Sequence, residues 1–191
     1  LDPAAPRGTN IAARMESPDG TTVAIGTVSN GLPDEPTWLG RKDLRAHDTG
    51  SYELVDEIHA GDQFEVVDCV VTPEMSDRVV RGTVALPWYT GDSPWGGPIA
   101  SPGVMVSALG AACHRYLRDH RYKGVPVDGA TELRNINGPI RMGQPYKVGG
   151  SIAAVGRSPR TEYFWYDAWM DDLDGHRIAE MLLQWRCIKN W

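Results

Sequence analysis

Between residues 103 and 119 the chain reads GVMVSALGAACHRYLRD, and for three turns this run is apolar on nearly every helical face. A helix of that kind is unstable on a surface and has to be enclosed by its own fold. Ser101 is a suitable N-cap and Pro102 fits the first helical position. Only the last turn, with Arg115, Arg118 and Asp119, becomes polar. Ser107, Ala108, Gly110, Ala111 and Ala112 are small enough for a sheet to wrap closely around the rod.

The enclosing sheet follows directly in the sequence. Beyond the helix the hydrophobic period changes to two, and residues 132–136, 146–155, 161–171 and 176–189 read as strands. The last three are joined by short connections, 157–160 and 172–175, and Asp174-Gly175 is a strong hairpin signal, so they form an antiparallel meander. Upstream, residues 63–71 (QFEVVDCVV) read as a strand. Thr72 then caps a helix that opens on Pro73 and runs to about Leu86. This order predicts an α+β domain in which one curved antiparallel sheet encloses one long buried helix.

The amino-terminal part is less regular. Residues 2–10 read as a loose arm, 21–28 as a strand bounded by Asp19-Gly20 and Asn30-Gly31, and 41–47 as a short helix. A chain of 191 residues is then one domain, 58–191, with an arm or extension over 1–57. A net charge of -6 argues against nucleic acid as partner, and no apolar run approaches the roughly 18 residues of a membrane span. Cys69, Cys113 and Cys187 match no metal spacing and read as buried thiols of a cytoplasmic protein; no secretory signal pattern opens the chain. The 21 Gly and 14 Pro predict many turns. Seven Trp against two Phe point to pockets or interfaces rather than a plain aliphatic core.

From His59 onward three segments resemble the MaoC-like branch of the hot-dog fold, the group of (R)-specific enoyl-thioester hydratases and dehydratases. Ala60-Gly61-Asp62 entering a strand, followed by Val71-Thr72-Pro73-Glu74-Met75, is similar to the family's opening strand and helix. Tyr89-Thr90-Gly91-Asp92-Ser93-Pro94 resembles its "GD..P" segment, with Gly97 to Gly103 leading into the central helix. Asn137-Gly138-Pro139-Ile140-Arg141-Met142-Gly143 resembles its "f..Pv..Gd" signature. The likeness covers about 130 of the 191 residues. One departure stands out: where the hydratase motif has a histidine five residues after the aspartate, this chain has Gly97.

The resemblance implies a lyase that adds or removes water at the α,β-bond of an acyl thioester carried on coenzyme A or a carrier protein, with no cofactor. That chemistry needs a base for the water and donors for the enolate forming at the thioester oxygen. Asp92 is the candidate base if its aromatic, Gly-rich segment buries it; the alternative is that it only caps a turn. The Gly103 N–H, at the start of the central helix, is the candidate oxyanion donor; the glycine would equally serve close packing. Trp88, Tyr89 and Trp95, with Ser101, would line the acyl pocket, although such aromatics also suit a dimer contact.

Histidine supply limits the hydratase reading. His114 reads as partly buried and structural, His120 and His176 as solvated, while His47 and His59 lie where they would have to fold back over the site. No carboxylate cluster stands at metal spacing. Tyr163, Trp165 and Trp169 alternate with Phe164, Tyr166 and Met170, so both faces of that strand need cover and a dimer is expected. Gly149-Gly150 reads as a bulge or bend. Two further classes stay open: a catalytically incomplete hot-dog subunit that binds the acyl chain and pairs with an active partner, and an acyl thioesterase. The central helix lacks the early Asp or Glu that a thioesterase would use to activate water.

Overall fold

The computed structural model describes residues 9–30, 37, 44, 50–80 and 86–189. The chain divides into two units, 1–42 and 43–191. The described part of the first is a two-stranded ribbon, β1 (Thr9–Glu16) and β2 (Thr22–Asn30), paired antiparallel from Thr9 opposite Asn30. Its turn is closed by Ser17 N–H donating to Thr21 O at 2.9 Å, with Gly20 at φ +86° and Asp19 Oδ1 accepting from Thr21 N–H at 3.0 Å. The strand over 9–16 reverses the expectation of a loose arm at Asn10. The run Ile11-Ala12-Ala13-Arg14-Met15 has no clear two-residue alternation and does not signal a strand without the partner.

The second unit is built on a five-stranded antiparallel sheet. Its strands are β3 (Val67–Val70), β4 (Val125–Asn135), β5 (Pro145–Arg157), β6 (Thr161–Asp171) and β7 (Arg177–Ile188), in the order β3-β5-β6-β7-β4. The β5-β6-β7 meander is the one expected, because short turns allow only antiparallel neighbours. β4 starts seven residues before the apolar alternation begins, since ladder bonds to β7 hold its exposed first half. β3 is shorter than expected: residue 63 makes only an isolated bridge to Ser151.

Three helices complete the unit: α2 (Pro102–Leu109) and α3 (Ala111–Asp119) lie against the sheet, and α1 (Pro73–Val80) packs on α2. Part of the expected first helix, 81–85, and the expected helix at 41–47 lie outside the described residues, Leu44 apart. The central rod is not one helix. It breaks at Gly110, whose ψ of -8° is far from the helical value, although His114 N–H still reaches Gly110 O at 2.8 Å. Val104, Met105, Ala108, Leu109, Ala112 and Cys113 face the sheet and pack on Ile152, Phe164, Tyr166, Met181 and Leu183. Leu109 is fully buried, and truncation to Ala would cost about 2–5 kcal/mol.

The rod is not enclosed on every side, because a five-stranded sheet wraps only one. Pro102, Gly103, Ser107, His114 and Arg115 remain exposed in the single chain. The core also extends amino-terminally past residue 58, to Val55 and Ile58. Glu162, 1% exposed, accepts from the backbone N–H groups of Glu53 and Leu54 and pairs with Lys189 at 2.9 Å, so it ties that segment to the sheet.

The Gly149-Gly150 pair is not the bulge. The register shifts at Ile152/Ala154 instead. A side chain at Gly149 would strike the Trp169 ring, and one at Gly150 the Asp167 carbonyl oxygen, so both glycines permit close approach. Cys113 and Cys187 are buried, and burial pushes the Cys187 thiol up to about 11. Among the described residues no helix is long and apolar enough to cross a membrane.

Candidate functional site

The segment holding Asp92 is a loop closed at the amino end of α2. A short 3-10 turn, Pro87–Tyr89, opens it. Ile99 N–H then donates to Trp88 O at 2.9 Å, which closes a loop of about ten residues. Immediately afterwards Ala100 N–H reaches Ile140 O and Met142 N–H reaches Pro98 O, both at 2.9 Å. The loop is thus pinned to the 137–143 segment before the chain enters α2.

Within it, Ser93 Oγ donates to Gly97 O at 2.5 Å and accepts from Trp95 N–H at 3.3 Å. This turn presents Trp95 edge-on to Trp88, with ring centroids 5.7 Å apart at 87°. Trp88 and Trp95 are 42% and 44% exposed, and Tyr89 is half-buried. Asp92 is exposed in the single chain rather than buried, and among the described residues the side-chain bond that closes the turn is made by Ser93. Gly97, at the position of the family's histidine, has φ +109°, a conformation that L side chains rarely adopt.

Ser101 is 6% exposed and is spent on capping: its Oγ accepts from Val104 N–H at 3.5 Å. Gly103 sits in the first turn of α2, where N–H groups have no intrahelical acceptor. A Cβ on Gly103 would stand 2.5 Å from Val79 Cγ1, so the glycine also lets α1 approach α2.

A cavity of about 600 Å³ opens beside this loop. Trp95 and Arg141 form part of its wall, with Tyr146, Ile178, Asp172 and His176. The buried Tyr146 hydroxyl accepts from Arg141 N–H at 2.9 Å and fixes the loop that carries the guanidinium. The Asp172–His176 turn, which also lines the cavity, joins β6 to β7. Asp172 Oδ1 accepts from the N–H groups of Asp174 and His176 at 3.0 and 2.9 Å, and Oδ2 lies 3.2 Å from His176 Nδ1. The His176 N–H bond, against an opposing effect of burial and with further help from the His176 ring, holds the Asp172 carboxyl below its ordinary value. Donor atoms of Asp172, Asp174 and His176 lie within 4.8 Å of one another, an exception, among the described residues, to the expectation of no such group. That grouping follows from closure of the turn.

The histidines are dispersed. His47 lies outside the described residues. His59 is exposed beside Asp62, and His120 stacks on Tyr116 at 4.0 Å. His114 is edge-on to Trp185; burial lowers its pKa, opposed by Asp128. Among the described residues His176 is the histidine that lines the cavity next to Trp95. Sequence reasoning read it as a solvated turn residue, and it is 69% exposed, but the Asp-x-x-x-His spacing across a hairpin was the signal for a pair. Arg141 and Tyr146 sit in or beside the 137–143 signature and carried no separate signal.

No protein-family model matches the chain, and no curated protein matches it. Solved structures do. The chain is similar to a monoamine oxidase regulatory protein from Archaeoglobus fulgidus, with 14% identity, 73% of this chain and 96% of that one covered, and a TM-score of 0.56. It is similar to the HadBC (3R-hydroxyacyl-ACP dehydratase) complex of Mycobacterium tuberculosis at 13% identity, 66% and 96% coverage and a TM-score of 0.52. It is similar to a MaoC-like dehydratase from Rhodospirillum rubrum at 15% identity, 73% and 99% coverage and a TM-score of 0.50. These likenesses establish the architecture: the chain has the hot-dog fold, as the resemblance in its sequence implied.

Proposed function

We propose that this hot-dog chain is an acyl-thioester enzyme, a lyase that adds or removes water at the α,β-bond of an acyl group carried on coenzyme A or a carrier protein. The observation that carries the reading is the bond from Ile99 N–H to Trp88 O, which closes the loop bearing Asp92 just before the chain enters α2. A thioester oxygen placed at the first turn of α2 would receive the Gly103 N–H and the helix dipole as the enolate forms. Asp92 would take the proton of the attacking water, and Trp88, Tyr89 and Trp95 would flank the acyl group. Ser101 would act by holding the helix start in place.

The exposure of Asp92 fits a site completed by a second hot-dog chain. The outer strand β4 offers an eleven-residue edge with Val125 and Val127 44% and 41% exposed, and pairing of such an edge with another copy would extend the sheet. A second reading, an incomplete subunit that binds the acyl chain beside an active partner, is favoured by Gly97 at the histidine position. The test is hydration of crotonyl-CoA and of a bulkier enoyl-CoA by wild type and Asp92→Asn. A loss of about 100-fold or more supports Asp92 as base; equal rates remove it.

A further inference from the structure

The hydratase chemistry needs a proton donor at the α-carbon as well as a base for water, and position 97 has no side chain to supply it. The cavity wall does. Of the loop that carries Asp92, Trp95 lines the cavity of about 600 Å³, and His176 lines the same cavity, whose volume is in the range that holds a small-molecule ligand. The ring of His176 is oriented rather than loose. Asp172 Oδ1 is engaged by two backbone N–H groups, so its Oδ2 is fixed in place and meets Nδ1 at 3.2 Å. A carboxylate on Nδ1 selects the tautomer with the proton there and leaves Nε2 for proton exchange with a ligand. Arg141, with no carboxylate at ion-pair distance among the described residues, lies on the same wall, its backbone clamped by Tyr146.

We infer that His176 is the proton-transfer residue of this cavity and Asp172 its positioning partner, together supplying what a histidine at position 97 would have given. The inference rests on the proposed lyase reading. In the hydration direction Asp92 accepts a proton from water as the oxygen–Cβ bond forms, and the π pair of the Cα=Cβ bond moves onto the thioester oxygen. Protonated His176 delivers its Nε2 proton to Cα as the thioester carbonyl reforms. Proton transfer from Asp92 to His176 through solvent restores both groups, so one water is added and nothing is oxidised.

Two measurements on the full-length chain test this. In the first, the ring signals of His176, assigned by comparison with His176→Gln, are followed by NMR while butyryl-CoA is added. In the second, the rate of crotonyl-CoA hydration is compared among wild type, His176→Gln and Asp172→Asn. The asparagine retains an oxygen for the two backbone N–H groups but places an amide against Nδ1. The inference expects the His176 signals to shift on binding, a loss of about 100-fold or more in His176→Gln, and a lower kcat at unchanged KM in Asp172→Asn. Unmoved signals at saturating ligand, or His176→Gln turning over like wild type, overturn it while leaving the lyase reading in place. Shifted signals with no turnover by wild type contradict the lyase reading and support the cavity as the thioester site. Neither shift nor turnover overturns both.

Discussion

A methyl group added to Gly103 would stand 2.5 Å from Cγ1 of Val79, so the start of α2 and the last turn of α1 are in contact at a position that tolerates no side chain. Gly103→Ala is expected to destabilise the protein by roughly 1–3 kcal/mol through overpacking. Val79→Ala should relieve most of that cost, and a double-mutant cycle by chemical denaturation measures the coupling. Because alanine keeps the backbone N–H, the double variant should retain hydration activity if Gly103 acts through that group.

The two adjacent glycines of β5 should differ in cost. At Gly149 the obstacle to a methyl group is the Trp169 side chain, which can rotate away, whereas at Gly150 it is the backbone oxygen of Asp167. Gly150→Ala should therefore lower the thermal midpoint more than Gly149→Ala, and equal shifts would contradict the packing described.

Glu162 gives the fold an acid-sensitive tie. Burial raises its pKa, but bonds from Lys189, Leu54 and Glu53 together outweigh this and leave the carboxyl below its ordinary value of 4.5. A carboxylate depressed in the folded state stabilises the fold above its unfolded pKa, and that contribution is lost as pH falls through the folded value. Thermal stability should thus decline below about pH 4.5 in wild type. Glu162→Gln should be less stable at neutral pH, by about 1–3 kcal/mol, and flatter across the acid range.

The edge of β4 should carry an association contact. Val127→Lys is expected to shift the protein from dimer toward monomer in sedimentation, with hydration activity lost in parallel. A wild-type monomer with full activity would contradict the proposed completion of the site by a second chain.

The sequence made the architecture readable where the signal is local and strong. The apolar run from Pro102 and the Asp174-Gly175 turn gave the helix and the meander that β5, β6 and β7 form. What escaped depends on partners distant in sequence. Asn10 and its neighbours become a strand only opposite Thr22–Asn30, and residues 125–131 belong to β4 only because β7 supplies the ladder. The Gly110 break needed the dihedral itself, since glycine is equally compatible with a continuous rod. For the site, sequence reasoning placed Trp95, Asp92 and Gly103 around the entrance to α2, but it expected burial to act on Asp92, and a single chain does not supply it. His176 beside Asp-Gly reads as solvent-facing, and it is exposed; that it lines a cavity together with Arg141 and Tyr146 depends on chain distant in sequence.

The most direct test is to incubate the purified chain with crotonyl-CoA in heavy-oxygen water and to weigh the products. The account predicts 3-hydroxybutyryl-CoA carrying one heavy oxygen on the β-carbon, with the thioester intact. Release of free CoA with heavy oxygen in a carboxylic acid would contradict it in favour of a thioesterase, and unchanged crotonyl-CoA that nevertheless binds would favour the incomplete subunit.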